Sequence, residues 1–112
     1  MKRGPKPSES FRLARSFLDR YYDTPITVER VSQEAALSPY HFIRVFHAIY
    51  KQTPHQYLMA RRIQKAKELL RTTDLPVTEI CAAVGFESLG SFSSLFRTQF
   101  GLSPAQYRRA NK

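Results

Sequence analysis

Apolar residues recur along this chain at three- and four-residue intervals, the spacing of helices that bury one face. Strand-like alternation of apolar and polar residues is missing. The first such face predicts a helix that buries Phe11, Ala14, Phe17, Leu18 and Tyr21. Either Ser8 or Ser10 can cap this helix. The pattern as a whole predicts an all-α fold.

Turn signals then divide the chain into further helices. A short helix is expected from about Val28 to Ala35, followed by a tight turn at Ala36-Leu37. Ser38 can cap a third helix that runs to about Tyr50, with Pro39 at its first position, where a missing N–H costs nothing. The side chains expected to be buried on this helix are Phe42, Val45, Phe46 and Ile49.

The segment 53–56, Thr-Pro-His-Gln, combines an N-cap, a first-position proline and a capping-box glutamine. It predicts a long fourth helix ending near Arg71, with Leu58, Ile63, Ala66 and Leu70 as core candidates. A fifth helix should begin at Pro76 and stop at Gly85. A sixth, capped by Ser88 and stopped by Gly101, and a short last helix after Ser103 complete a set of seven.

The aromatic positions of the third helix, and the proline and tyrosine that follow it, recur 50 residues later. The matching pairs are Phe42/Phe92, Phe46/Phe96, Tyr50/Phe100, Pro54/Pro104 and Tyr57/Tyr107. A short helix, a tight turn and a second amphipathic helix form a helix-turn-helix, and the repeat therefore predicts two of them. We expect a flexible basic arm over residues 1–7, helix-turn-helix subdomains over 8–53 and 73–112, and a linker helix over 54–72.

Charge points to a polyanionic partner. The formal net charge is +9 and the isoelectric point is about 10.1, which is typical of nucleic-acid binding. The single cysteine, Cys81, cannot form an internal disulfide, which fits a reducing, cytoplasmic compartment. The sequence contains no apolar run that could span a membrane. We therefore expect DNA as the partner and no membrane association.

The outward positions of the third helix are Tyr40, His41, Ile43, Arg44 and His47. Among them, Arg44 is the best candidate to read a base, because its guanidinium matches guanine O6 and N7. Tyr40 or Ile43 could touch a thymine methyl group, and His47 could meet a phosphate. The histidines lack the spacing and supporting ligands of a zinc site, so we expect neither a metal nor a cofactor.

The outward positions of the sixth helix include Gly90, Ser91, Ser93, Ser94 and Arg97. Ser94 stands 50 residues after Arg44, so this helix lacks a long donor at the equivalent place. We expect it to read sequence weakly and to dock mainly by shape and backbone contacts. The linker helix carries five basic residues, some of which should face the DNA backbone: Arg61, Arg62, Lys65, Lys67 and Arg71.

These residues resemble the DNA-binding domain of the AraC/XylS family of bacterial transcription regulators. The most specific stretches are 84–88, 92–97 and 100–108, while 37–46 is a looser match. The resemblance covers roughly residues 8–109 and implies seven helices, two helix-turn-helix subdomains and control of transcription initiation at promoter DNA. Mapped by position, it assigns DNA contacts to Tyr40, Ile43, Arg44, His47, Gly90, Ser91, Ser93, Ser94 and Arg97.

The chain departs from the family pattern at two helix-ending positions, where Ala36 and Lys51 replace the usual glycine. Either these residues accept about 1 kcal/mol of left-handed strain, or the turns adopt another shape. The family favours activation through contact with RNA polymerase. Because two reading helices lie in one chain, we expect a monomer on DNA if the chain is complete, in a bacterial cytoplasm and at the nucleoid.

Other functions are weaker candidates. A nonspecific architectural protein would explain the charge but not the paired caps and turns, and a helical protein-interaction module would bind without salt dependence. The sequence contains no Gly-rich phosphate loop, metal cluster or nucleophile–base pair that would indicate an enzyme. A sequence-specific transcription regulator is the function that the pattern favours.

Overall fold

A computed structural model of the protein describes residues 7–111. Over that range the chain forms seven helices and no strand: α1 Pro7–Tyr21, α2 Val28–Glu34, α3 Pro39–Tyr50, α4 Pro54–Thr72, α5 Val77–Ala83, α6 Leu89–Phe100 and α7 Pro104–Ala110. The all-α prediction and its seven elements are confirmed. The proposed basic arm lies outside the described residues, apart from Pro7, which is the first residue of α1. No described helix is long and apolar enough to cross a membrane.

Helix starts follow the predicted local chemistry. The Ser38 hydroxyl accepts from the backbone N–H of His41 at the start of α3. At α4, the Gln56 side chain accepts from the Thr53 N–H while the Thr53 hydroxyl accepts from the Gln56 N–H. The same reciprocal pair joins Ser103 and Gln106 at α7. Each box satisfies two backbone donors that a helix start otherwise leaves without a partner.

Two predicted starts were misplaced. The first helix begins at Pro7, so Ser8 and Ser10 lie inside it rather than at its cap. Pro76 is the N-cap of α5, and its extended backbone precedes the first helical residue, Val77. Proline's fixed φ suits both a cap and a first position, so sequence alone could not separate the two.

Contacts divide the chain into two compact units, Met1–Met59 and Ala60–Lys112, and the division falls inside α4. The core of the first unit consists of Phe11, Ala14, Leu18, Val31, Ala35, Phe42, Phe46 and Leu58. The buried apolar residues of the second are Ile63, Ala66, Leu70, Ile80, Cys81, Val84, Phe92, Phe96 and Tyr107. The second helix of each helix-turn-helix, here called its recognition helix, is α3 in the first unit and α6 in the second. The predicted burial of Phe42 and Phe46 on α3 is confirmed, and their repeat partners Phe92 and Phe96 on α6 are completely buried as well.

The two cores show that the internal repeat is longer than the 50-residue motif. Core residues of α1 match core residues of α4 at an offset of 52, as in the pair Leu18/Leu70, and those of α2 match α5 at 49, as in Val31/Ile80. Thus the first half of α4 closes the first unit, as α7 closes the second, and its second half opens the second unit, as α1 opens the first.

Aromatic packing follows the same repeat. Tyr57 meets Phe46 edge-on with ring centroids 5.8 Å apart, and Tyr107 meets Phe96 edge-on at 5.5 Å. A cation lies over the last ring of each recognition helix: the Arg15 guanidinium is 5.5 Å from the Tyr50 centroid in the first unit. In the second unit the Lys67 ammonium is 5.0 Å from the Phe100 centroid.

Two side chains predicted to be buried are exposed. Ile49 is 45% exposed, and its partner in the repeat, the polar Gln99, is exposed as well. The buried stripe of α3 instead ends at Tyr50, whose ring packs on Phe46 at 4.6 Å. Tyr21, at the end of α1, lies beyond the last core residue and packs against Phe17, with 39% of its surface exposed.

Candidate nucleic-acid interface

The first helix-turn-helix is held by backbone hydrogen bonds across its turn. The N–H of Ala36 donates to the carbonyl of Gln33, and the N–H of Leu37 donates to that of Ser32, each at 3.1 Å. This is the two-bond closure of a helix that ends in a left-handed residue. Ala36 has a φ of +56°, and Lys51, at the end of α3, has a φ of +63°. Both non-glycine residues therefore accept the left-handed conformation, and the turns keep their usual shape.

The outer face of α3 carries every site residue predicted for the first unit. Tyr40, His41, Ile43, Arg44 and His47 are all exposed, whereas Phe42 and Phe46 between them are completely buried. Tyr40 is the most exposed of the apolar and aromatic side chains, at 71%. The helix therefore presents its polar and basic residues together, away from the core of its own unit.

Arg44 is held over an aromatic ring on this face. Its guanidinium carbon lies 5.7 Å from the centroid of the Tyr40 ring, one helical turn earlier. Within the described part of the chain, Arg44 has no carboxylate partner. The sequence pattern identified both residues but not the contact between them.

The second helix-turn-helix has a turn one residue longer. Gly85, with a φ of +99°, ends α5, and Phe86 and Glu87 separate it from the cap Ser88. In the first unit only Leu37 separates Ala36 from Ser38. The N–H of Phe86 donates to the carbonyl of Cys81, which reproduces the closure of the first turn. The extra residue explains why α2 and α5 repeat at 49 while α3 and α6 repeat at 50.

The outer face of α6 carries mostly small and polar residues. Gly90, Ser91, Ser94 and Arg97 are exposed, as the sequence predicted, whereas Ser93 is half-buried. Its partner in the repeat, Ile43, is by contrast 36% exposed. Gly90 and Ser94 occupy the places that Tyr40 and Arg44 hold on α3.

Negative charge is excluded from both recognition helices. Neither α3 nor α6 contains an aspartate or a glutamate. The surrounding stretches 35–67 and 88–112 are also free of acids, with six and four basic residues respectively. Eight of the nine acidic residues lie on or next to α1, α2, the end of α4 and α5, and the ninth, Glu87, lies in the turn before the α6 cap Ser88. The two stretches that carry the recognition helices therefore have a net positive charge of their own, which attracts a polyanion.

The basic residues of the linker helix differ in what they can contact. Arg62 is only 7% exposed, and its guanidinium lies 6.0 Å from the centroid of the Phe86 ring, so its side chain packs within the second unit. Lys65 pairs with Glu68 at 3.5 Å. Arg71 is exposed. The sequence could not separate these cases, because all of them are long cations on one amphipathic helix.

Arg108 makes a contact that sequence reasoning missed. Its Nε donates to the carbonyl of Leu70 at 3.1 Å, and its Nη2 donates to that of Thr73 at 3.3 Å. It thereby satisfies carbonyls at and just past the last turn of α4, which a helix end otherwise leaves without partners. Its partners lie more than 30 positions away along the chain, and no local pattern marks them.

Cys81 is a buried free thiol. Only 4% of its surface is exposed, and burial raises the pKa of the thiol above its ordinary value. Its partner in the repeat, Ser32, is also buried and donates to the Glu29 carbonyl. Among residues 9–111, no cluster of His, Cys, Asp and Glu could hold a metal ion.

Two helix-turn-helix units, each with an exposed recognition helix free of acids, define a DNA-binding protein of the helix-turn-helix class. A family model described as a helix-turn-helix domain matches residues 31–110. The regulatory protein SoxS of Escherichia coli K12 is 32% identical over 93 residues, which cover 83% of this chain and 87% of SoxS.

Solved structures of DNA-binding regulators share this fold. The C-terminal domain of AraT, a response regulator from Geobacillus stearothermophilus, has a TM-score of 0.87 and 32% identity, over 95% of this chain and 88% of that domain. The DNA-binding domain of AdpA, a global transcriptional factor solved in complex with a target DNA, has a TM-score of 0.86 and 30% identity, over 95% and 93%. The chain belongs to the AraC family of DNA-binding transcription regulators. The relatives it matches are regulators rather than enzymes.

Proposed function

We propose that this protein reads promoter DNA through two reading heads, the exposed faces of α3 and α6. The α3 head is the stronger, with Arg44 as the main base-reading residue, and the α6 head is the weaker. The observation that carries the proposal is the exposed Arg44 on a helix without acids, with no carboxylate partner among the described residues, set against Ser94 at the equivalent place on α6. An arginine fork can bond guanine O6 and N7 together, whereas a serine offers one short hydroxyl.

The other exposed residues have smaller roles in this proposal. Tyr40 or Ile43 contacts a thymine methyl group, and His41 and His47 lie close to phosphates. On α6, Gly90, Ser91, Ser93 and Ser94 let the helix approach the groove closely. Arg97 and Arg71 bind phosphates.

A single chain carries two reading heads, so one monomer can serve an asymmetric site of about two helical turns, ~20 base pairs, with each head in its own major groove. On bacterial promoters, in the cytoplasm and at the nucleoid, the bound protein activates transcription by contacting RNA polymerase.

Binding of three variants tests the assignment of the heads, after a cognate duplex has been selected from a random pool. Arg44→Ala should cost about 1–3 kcal/mol on the cognate duplex and relax discrimination at one base pair. Ser94→Ala should cost about 1 kcal/mol or less, because a single neutral hydrogen bond contributes little net free energy. Arg97→Ala should weaken binding to cognate and scrambled DNA alike.

Arg12→Ala is the matched control, since Arg12 is an exposed arginine of α1 rather than of a recognition helix, and its loss changes the net charge as Arg44→Ala does. If Ser94→Ala reduces discrimination more than Arg44→Ala does, α6 is the dominant head and the proposal is wrong. Equal affinity of the unmodified protein for selected and scrambled duplexes would instead favour an architectural role.

Salt dependence tests whether phosphates dominate the affinity. With about six to eight phosphates neutralised, log K should fall against log salt with a slope of about −5 to −7. A slope near zero would remove DNA as the main partner. In vitro transcription with purified RNA polymerase then tests activation: transcript yield from a promoter carrying the selected site should rise with the protein and stay low with Arg44→Ala.

A further inference from the structure

Tyr40 is exposed to an unusual degree for an aromatic residue in a described helix. It sits in the first turn of α3, 71% exposed, with the Arg44 guanidinium 5.7 Å from its ring centroid. The two residues are four positions apart, so they share one face of the helix. An exposed arginine normally samples many rotamers, and ordering one on binding costs conformational entropy.

Local contacts at the start of α3 fix the backbone that carries Tyr40. Pro39 occupies the first helical position, and the Ser38 hydroxyl accepts from the N–H of His41. These two features hold the backbone on both sides of Tyr40 in helical geometry. The ring therefore projects from a defined point, and cation–π attraction confines the guanidinium above it.

We propose that Tyr40 is a positioning residue for Arg44: its ring holds the guanidinium ready for a guanine edge before DNA arrives. The proposal rests on the proposed function of α3 and deepens it. The second unit lacks both partners, since Gly90 and Ser94 stand at the equivalent places. In this proposal α3 reads bases more strongly than α6 because Tyr40 and Arg44 act together, and not because of Arg44 alone.

Truncating Tyr40 would also remove the apolar contact with a thymine methyl group proposed above, and two substitutions separate that contact from positioning. Tyr40→Phe keeps the ring and removes the hydroxyl. Tyr40→Leu keeps an apolar side chain that can still touch a thymine methyl group but removes the aromatic face. Positioning requires the ring, whereas an apolar contact requires only bulk.

The first measurement uses the free protein, so it does not depend on any DNA target. The Nε–H and side-chain methylene resonances of Arg44 should be shifted upfield by the ring, and Tyr40→Phe should keep that shift. Tyr40→Leu should return them to random-coil values. Resonances that stay where they are in Tyr40→Leu would show that the ring does not hold the guanidinium, and the proposal would fail whatever α3 binds.

The second unit allows a reciprocal test in the free protein. A Cβ added at Gly90 would meet only the Ser88 Oγ, at 3.7 Å, an ordinary contact. The double variant Gly90→Tyr/Ser94→Arg should therefore show the upfield shift of the introduced arginine, and Ser94→Arg alone should not. Identical arginine shifts in the two variants would overturn the idea that a ring one turn earlier is what orders the guanidinium.

The third measurement compares affinity for the selected duplex with affinity for the same duplex carrying 7-deazaguanine at the base pair that Arg44 reads. Tyr40→Leu should lower this ratio by about two- to fivefold, the range of a cation–π contact at an exposed site, and Tyr40→Phe should leave it unchanged. Affinity for scrambled DNA should not change in either variant. In an Arg44→Ala background, Tyr40→Leu should have no further effect on the ratio.

The outcomes separate the proposals. If Tyr40→Leu keeps the full ratio, or if it lowers the ratio equally with and without Arg44, Tyr40 does not act through Arg44. If the protein does not distinguish the selected duplex from scrambled DNA at all, the proposed function of α3 fails, while the resonances of the free protein still decide whether the ring holds the guanidinium.

Discussion

Replacing Ala36 with glycine should stabilise the first unit. Ala36 has a φ of +56° at the turn between α2 and α3, a conformation that costs an L-residue roughly 1–2 kcal/mol. Glycine removes that strain but gives the unfolded chain extra freedom, worth about 0.4–1 kcal/mol in the opposite direction. The net expectation is a gain of about 0.5–1 kcal/mol in the free energy of unfolding.

Two matched exchanges test the origin of the effect. Gly101→Ala is the reverse change at the end of α6, where φ is +74° and an added Cβ has nothing within 4 Å, so any cost is conformational rather than steric. It should destabilise by about 0.5–1 kcal/mol. Ala48→Gly, on the exposed side of α3, should destabilise by about 1 kcal/mol, because glycine is a poor helix former.

Urea unfolding followed by circular dichroism measures these differences, and amide hydrogen exchange in α2 and α3 assigns them to the first unit. With an m-value of about 1–3 kcal/mol/M, the midpoint should move by a few tenths of a molar. If Ala36→Gly lowers stability as much as Ala48→Gly does, the left-handed residue is not strained and the reasoning is wrong.

Three further predictions concern individual side chains in the two units. Arg108→Ala removes two charge-assisted bonds to carbonyls at the end of α4 and should lower the free energy of unfolding by about 1–3 kcal/mol, with faster amide exchange in the last turn of α4; unchanged exchange there would contradict the clamp. Gln56→Ala and Gln106→Ala should each cost about 0.5–1 kcal/mol by urea unfolding, because both break the same reciprocal cap, and a large difference between them would count against equivalence of the two helix starts. Cys81 should react slowly with a thiol reagent until urea unfolds the protein, since burial raises the pKa of the thiol. The pKa of Cys81 is higher in the folded protein than in the unfolded chain, so the buried thiol contributes its full share to the free energy of unfolding below about pH 8.5, and this share is lost as the pH rises through the folded pKa. Cys81→Ala should remove this alkaline loss of stability. An unchanged dependence of stability on pH in the variant would refute the raised pKa of Cys81.

Local signals accounted for most of the helix boundaries. The cap at Ser38 and the two capping boxes act over three residues, so their chemistry is visible in the sequence and appears in the structure as predicted. The same holds for the repeat, which marked α3 and α6 as equivalent and singled out Arg44 and Ser94. Exposure of the recognition-helix faces followed from periodicity, with Ser93 as the half-buried exception. Which of these exposed residues touch DNA stays a prediction.

Other features depended on contacts between residues far apart in the chain. Nothing near Arg62 in sequence indicates that it is buried over Phe86, and nothing near Arg108 indicates its bonds to the end of α4. The sequence also left open whether Ala36 would accept a left-handed φ or force another turn. Caps and helical periodicity act within one or two turns and are encoded where they occur. Burial, ring contacts and backbone strain are determined by which segments pack together, and only the folded chain brings those segments into contact.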